Sequence, residues 1–538
     1  MKLKDKNKTK IFFAVAIGIG MNTNNSFSQS SSGFEKCYGD IKSNYAYSAE
    51  TMNDGGYIIV GQTPSSINQY LDILVIKTDA AGTYQWNMTY GGSKSDWAYS
   101  VKQTNDGNII ITGITMSFLD TTSGNIFLMK TDTQGNILWT QEFGGASSDV
   151  PNDVISTTDG GFLITGYTTS FGTGNSDAYL IKTDSDGNAQ WTKTYGGTGA
   201  TVGYSALQTS DGGYKITGYS SNASAGNYDI LLMKVDAIGN PLWTTVYGGT
   251  NADYAFSISP APNEGAIISG TTWSYGNGDP DINVTLTDSG GNPLWYKVIS
   301  GSGNDYGYSV VYSSPNSYML AGKTDSYGAG SYDAFLCKLD TFGTFQWGKT
   351  YGGTHEDEIR SMKPTMDGGF LMAGGARSFT PPPNYDHEFF VIKTDSSGNS
   401  NCSNAMNTVA LTIAPAIGTF TPVISAGTIV APPPAFQSSL IFASETQACS
   451  PNFAQEENTM ENTITVFPNP TNGIIEVKAL SDSHNKIEIY NTLGECIHRS
   501  FTSASKSIID ISAHPQGIYF YKIISEEKNI SSGKIIIQ

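Results

Sequence analysis

Histidine is scarce in this chain: five in 538 residues. Only His355 and His387 fall within the repeated region that fills most of the sequence. The commonest general acid–base side chain therefore has few places to act. Cysteine is as sparse, at five. No CxxC pair and no Ser/His/Asp order occurs, which sets aside thiol redox and the usual zinc clusters. Charged residues make up 14% of the chain, and 30 Lys and Arg face 48 Asp and Glu, a formal charge of −18. Phosphate binding needs a basic stripe, so this balance argues against nucleic acid as a partner. No apolar run approaches about 18 residues, so no transmembrane segment is expected in the mature chain. The repeats hold no sustained 3.6-residue apolar period, so helices are not expected there.

What is present is glycine, 60 of them, and a period. Trp86, Trp139, Trp191, Trp243, Trp295 and Trp347 recur about every 52 residues, with Phe34 one interval before and Cys402 roughly one after. Gly61, Gly113, Gly166, Gly218, Gly270, Gly322 and Gly374 keep the same period. Eight markers bound seven repeats, each holding four short β-branched and aromatic runs separated by Asp-Gly and Gly-Asn turns. A period near 50 with four strands is a propeller blade. The expected fold is all-β, a seven-bladed β-propeller of four-stranded blades over residues 29–402. The chain opens on a lone fourth strand at Phe34–Gly39, and the seventh repeat supplies only the first three. The N-terminal strand should therefore complete the last blade and remove its exposed edge. The competing segment at Cys402 lacks the Tyr-Gly that follows the Trp position in most blades.

Residues 1–28 read as an export signal. Five lysines precede an apolar stretch from Ile11 to Met21, and Ser26-Phe-Ser28 offers small residues for cleavage. Its removal would take the formal charge from −18 to about −22, which fits a solvated extracellular surface. Residues 403–451 leave the repeat for a Thr/Ser/Pro-rich extension with β character. Cys402 and Cys449 flank it and are expected to form a disulfide after export. Cys337 takes an aliphatic position on a third strand and should be a buried thiol. An acidic linker, 452–461, follows.

The last segment, 462–538, shows six further β runs. Pro468-Asn-Pro-Thr-Asn-Gly473, Ile487-Glu-Ile-Tyr-Asn-Thr-Leu-Gly-Glu495, Ile509-Asp-Ile-Ser512 with Pro515-Gln-Gly-Ile-Tyr-Phe520, and Gly533-Lys-Ile-Ile-Ile stand in order at its end. Together they closely resemble the C-terminal sorting domain of type IX secretion cargo from Bacteroidetes-type bacteria. The resemblance implies a small immunoglobulin-like β-sandwich read by the outer-membrane translocon. It also implies a protein secreted or attached at the outer surface after passing the periplasm. The repeats resemble the propeller proteins that commonly precede this domain.

Within the repeats, the column of Phe34 and the six tryptophans is expected to pack against the neighbouring blade as buried aromatics. The glycine column marks a bulge or a close backbone approach. Asp184-Ser-Asp-Gly187-Asn suggests a calcium loop, but its second acid does not recur in the equivalent turns. A hairpin turn is the better reading, and no cofactor is expected. Asp96, Asp149, Asp253, Asp305 and Asp357 open the first strands, where they would cap backbone N–H groups and ring one mouth of the channel. The loops on that face vary most and are the expected binding surface. Its candidate ligand-binding residues are Trp97, Tyr254, Trp273 and Tyr306 with Asp96, Asp253 and Asp305. The best metal or catalytic constellation is His355, Glu356, Asp357, Asp386, His387 and Glu388 in the seventh blade, although a solvated loop cluster explains it more simply. The favoured function is an exported non-catalytic propeller that binds glycan or protein. A polysaccharide hydrolase or lyase is the alternative, and a purely structural surface component is the third reading.

Overall fold

Each repeat folds on itself because its β runs are short and its Asp-Gly turns place a positive-φ glycine where a hairpin needs one. The computed structural model describes residues 33–400 apart from 40–42, 66–69, 118–122, 223–225, 277–279, 314–315 and 381–385. It then describes short strands between 404 and 447 and parts of 465–537. The export signal, Cys402, Cys449, the 452–461 linker and the 468–473 motif lie outside the described residues.

The first blade runs Tyr45–Thr51, Tyr57–Pro64, Leu71–Thr78 and Tyr84–Gly91, paired antiparallel in that order from the axis outward. Six more follow, their inner strands starting at Asp96, Asp149, Thr201, Asp253, Asp305 and Asp357. The seventh has only three strands of its own, and Phe34–Gly39 is its fourth, with Phe34 opposite Lys393 and Tyr38 opposite Phe389. The propeller is closed by its N-terminus.

Seven hydrophobic clusters hold the ring, one at each junction between neighbouring blades. The closing junction joins Phe34, Tyr38, Leu371, Ala373, Phe389 and Val391 to Ala46, Ala49, Tyr57, Ile59, Leu74 and Ile76. Cys37 and Cys337 are buried free thiols in such clusters.

The tryptophan column is half-buried rather than buried. Trp191 lies over the turn glycine of the next blade, so that a Cβ on Gly239 would strike its ring, and its Nε1 donates to the Ala237 carbonyl. The fully buried anchor stands four residues on. Tyr195 is 0% exposed and its hydroxyl donates to the Gly239 carbonyl at 2.6 Å. Tyr90, Tyr247 and Tyr351 repeat the bond to Gly135, Gly291 and Gly398, and Tyr38 makes it to Gly82 of the first blade. Trp191→Ala should therefore cost about 2 kcal/mol, below the roughly 3–5 of a fully buried aromatic. Tyr195→Phe, which strands a buried carbonyl, should cost about 1–3 kcal/mol. Urea midpoints of the two variants check this, and a Trp191→Ala loss at the fully buried level would contradict it.

The described strands of the 403–451 extension lie on the outer edges of the blades. They add a fifth, outermost strand to six blades, in the reverse of chain order. Asn404–Met406 joins blade six, Ala410–Ile413 blade five, Ala416–Gly418 blade four and Val423–Ser425 blade three. Gln437–Ser439 then joins blade one and Ser444–Gln447 blade seven. The last step pairs Gln447 with Lys36 and Ser444 with Gly39, so the closing strand is hydrogen-bonded on both edges. Among the described residues the outer strand of blade two, Ile137–Phe143, takes no fifth strand. Residues 426–436, between blades three and one in this path, are outside the described set and include Pro432, Pro433 and Pro434.

The C-terminal unit, Pro451–Gln538, is compact in itself. A three-stranded sheet (Thr465–Phe467, Ile474–Lys478, Lys506–Asp510) and a four-stranded sheet (Cys496–Thr502, Asn485–Tyr490, Gly517–Ser525, Ile530–Ile537) make up its described strands. They share a core of Ile475, Ile487, Ile489, Ile509, Ile511, Tyr519, Ile535 and Ile537.

Candidate functional site

The repeating glycine of the second strand explains how the channel is lined. In every blade the pairing slips once on the inner strand, between Ala46 and Ser48 in blade one and at the matching place in the other six. Such a bulge leaves one extra residue and re-aims its side chain. Opposite it only glycine fits: a Cβ on Gly61 or Gly374 would run into the carbonyl of Tyr45 or Glu358. The bulged residues are Tyr47, Tyr99, Asn152, Tyr204, Phe256, Tyr308 and Arg360, each 14 residues before its glycine. Together with Val150 and Tyr167 they line one cavity of about 330 Å³.

This ring is largely aromatic. Tyr47 and Tyr99 meet edge-on at 4.9 Å and Tyr204 and Phe256 at 5.1 Å, while Phe256 and Tyr308 are tilted at 5.3 Å. Arg360 lies 4.0 Å over the Tyr308 ring and donates to the Tyr45 hydroxyl at 2.9 Å. Its guanidinium also pairs with Glu358 at 3.0 Å. Burial pushes the Tyr47 and Tyr204 hydroxyls up to about 12, so both stay protonated. Beneath the ring, serines stitch the blades together. Ser48, Ser100, Ser257, Ser309 and Ser361 each accept a backbone N–H from the following blade, and Ala49 to Ser361 closes the circle. Deeper still, Lys102 pairs with Glu50 at 3.3 Å, and Lys363 is pushed down to about 8 by burial and then by Lys102.

Above the ring, at the face of the variable loops, lies the residue two positions earlier in each blade: Tyr45, Trp97, Val150, Val202, Tyr254, Tyr306 and Glu358. Where this position is valine, the paired residue on the second strand is tyrosine, Tyr167 or Tyr219. Bulk is conserved across the pair.

Of the residues picked from the sequence, Tyr254, Trp273 and Tyr306 come together. Trp273 is 5.5 Å from Tyr254 and 6.2 Å from Tyr306, edge-on to both. Trp97 stands in another sector and donates its Nε1–H to the Tyr99 hydroxyl at 2.6 Å. Asp96, Asp253 and Asp305 do not ring the mouth for a ligand, since each is at most 1% exposed. They turn inward to hold their own loops. Asp96 accepts the Gly92 N–H at 2.9 Å and the Thr115 and Ser117 hydroxyls. Asp253 accepts from Gly249 and Ser274, and Asp305 from Thr324 and Ser326. The short inner edge of the D–A loop leaves N–H groups that only such a side chain can reach.

The seventh-blade constellation divides in the same way. Asp357 is 0% exposed and caps Gly353, Arg377 and Ser378. Glu356 and Glu358 both reach Lys323 at 3.0 Å. His387 is pushed down to about 4 by burial and by Arg377, whose Nε–H it accepts at 3.3 Å. His355 instead turns to the Thr354 hydroxyl, at 3.1 Å. Asp386 and Glu388 flank His387, with Glu388 buried. Among the described residues no three acids, histidines or cysteines form a group able to hold a metal. In the Asp184 turn the carboxylate accepts the Asp186 and Asn188 N–H groups, both at 2.9 Å. Its preceding lysine, Lys182, bonds Asp159 of the other turn instead, at 2.8 Å.

Burial gives the propeller a pH dependence. It pushes Glu35 and Asp333 up to about 7, with Asp357 adding repulsion to both, and Asp305 up to about 6. A carboxyl raised in the folded state opposes folding once ionised. This cost is absent below the unfolded value near 4 and complete above about 7. Asp211 acts in the opposite sense: Lys234 holds it low, a contribution lost under strong acid. The melting temperature should therefore rise as pH falls from 8 to about 5. Glu35→Gln with Asp333→Asn should flatten that slope in calorimetric scans, and a parent slope of the opposite sign would contradict the assignment.

Residues 465–538 match the family of secretion system C-terminal sorting domains. No curated protein matches the chain. Among solved structures, PorZ, a surface component of the type IX secretion system of Porphyromonas gingivalis, aligns at 8% identity and a TM-score of 0.37. The alignment covers 91% of this chain and 59% of PorZ, so the chain spans well under two thirds of that protein. Sqt1 of Chaetomium thermophilum aligns at 10% identity and TM-score 0.39, over 72% of this chain and 99% of Sqt1. The extracellular domain of a putative one-component system of B. thetaiotaomicron aligns at 9% and 0.28, over 92% and 68%.

Proposed function

We propose that this chain, a propeller exported by the type IX route and carrying its sorting domain at residues 465–538, is a non-catalytic surface module that binds glycan at the mouth of its channel. The observation that carries this reading is the half-buried cluster of Tyr254, Trp273 and Tyr306 at the variable-loop face, continuous with the tyrosine ring below. Aromatic faces there offer apolar area with polar edges, the combination that suits a sugar ring. A protein ligand at the same mouth is the other form of the reading.

The charged groups nearby favour binding over hydrolysis. Glu358 is 3% exposed and committed to Arg360 and Lys323, while Glu356 is held low, chiefly by Lys323 against its burial. Glu356 is thus ionised with no proton to give a leaving group, and Glu358, though pushed up by burial, is engaged by Arg360 and Lys323. His387, neutral at pH 7, is turned to Arg377. In a glycan array, Trp273→Ala and Tyr306→Ala should each lose signal about tenfold or more, and His355→Ala with His387→Ala should change little. Release of reducing sugar abolished by Glu356→Gln would support the hydrolase instead. Silence on glycans with capture of a purified surface protein would move the reading to a protein ligand.

A further inference from the structure

The channel ring adds a mode of recognition to the surface-glycan reading, on which it rests. We infer that the cavity formed by the bulged residues is an end-on subsite for the terminal residue of a neutral glycan chain. The wall is complete, because each of the seven inner strands contributes one side chain at the same depth. A ligand reaches this depth only along the axis. An extended polymer can lie across the mouth, but only a chain end can descend into the ring.

Size and chemistry narrow the occupant. About 330 Å³ lies at the lower end of small-molecule pockets, roughly 300–1,000 Å³, and suits one or two sugar rings. Tyr204, Phe256 and Tyr308 form a continuous aromatic arc for a ring face. Protonated tyrosine hydroxyls add hydrogen-bonding edges. Beside the arc, next to Tyr204, Asn152 gives its amide N–H to the Gly203 carbonyl at 2.7 Å and adds a polar side chain to the cavity lining. Arg360 already occupies the Tyr308 face at 4.0 Å, the place a cationic guest would take in an aromatic cage. Its pairing with Glu358 at 3.0 Å cancels the charge that an acidic sugar would seek. The remaining class is an uncharged saccharide end.

The test uses the mature full-length protein and ladders of malto-, cello-, xylo- and mannooligosaccharides of one to six units, by calorimetry. End-on binding predicts that affinity for the recognised ladder levels off by two units and that one chain binds per protein. Tyr204→Ala and Phe256→Ala should each weaken it about tenfold or more. Phe256→Leu, which keeps apolar volume without the ring, controls for folding and should weaken it to a similar degree with an unchanged melting temperature. Affinity that climbs through six units with the ring variants unaffected overturns the end-on mode while leaving the surface-glycan reading in place. Failure of every ladder to bind overturns both, as does binding only to a protein with the ring variants inert.

Discussion

Deleting Phe34–Tyr38 should prevent the mature chain from forming a closed monomeric propeller. The strand carries Phe34, Cys37 and Tyr38 into two junction cores and the Tyr38 bond to Gly82 of the first blade. Truncation of buried aromatic and aliphatic groups costs about 2–5 kcal/mol each. The sum, on the order of 10 kcal/mol, rivals the roughly 5–15 kcal/mol by which whole domains are stable. The backbone loss is double-sided, since the strand is paired to Glu388–Thr394 on one edge and Ser444–Gln447 on the other. Both neighbours would then present open ladders, the situation that drives strand exchange and aggregation. Size-exclusion chromatography and thermal scans should show oligomers or a collapsed melting transition, and a monomer melting as the parent does would refute this closure. A bridge between Cys402 and Cys449 would tie the start of the outer strand path, on blade six, to its end on blade seven. Peptide mapping without reductant tests that pairing.

Removing residues 462–538 should abolish delivery to the surface while leaving the propeller folded. The propeller and the terminal unit are separately compact, and the latter's core is built from its own isoleucines and Tyr519. Among the described residues no junction core of the propeller draws on a residue beyond Ile392. The truncated protein should accumulate in the periplasm with an unchanged propeller melting transition. Cell fractionation measures this, and normal surface levels of the truncated chain would overturn the sorting role.

The repeat count, the blade boundaries and the closure of blade seven by Phe34–Gly39 were legible in the chain, because turns and strand periodicity are local and recur seven times. The sorting domain was legible for the same reason: its motifs are contiguous. The tryptophan column is visible in the sequence, but its half-burial is not. Periodicity shows that a position repeats, not whether water reaches it, and the deeper anchor proved to be the tyrosine four residues on. The spacing of Asp96, Asp253 and Asp305 predicts caps at the channel mouth; they do cap, but they are buried and turn inward, since the direction of a side chain at a strand end depends on where the next loop folds back. The bulged ring had a sequence signal, the residue 14 before each strand glycine. It reads as four tyrosines, a phenylalanine, an asparagine and an arginine scattered along the chain, and only the slipped pairing shows that they face one space.

The path of the extension was not legible at all. Its strands are three or four residues long and attach through backbone bonds to partners as distant as Asn404 from Thr350 and Gln447 from Lys36, a pairing that no local propensity encodes. The sequence by itself determined the repeating unit, its number and the separate terminal domain, because these rest on hairpins and spacing. The tertiary structure alone decided what lines the channel and what covers the rim, because both arise where strands far apart in the chain meet edge to edge or around a common axis.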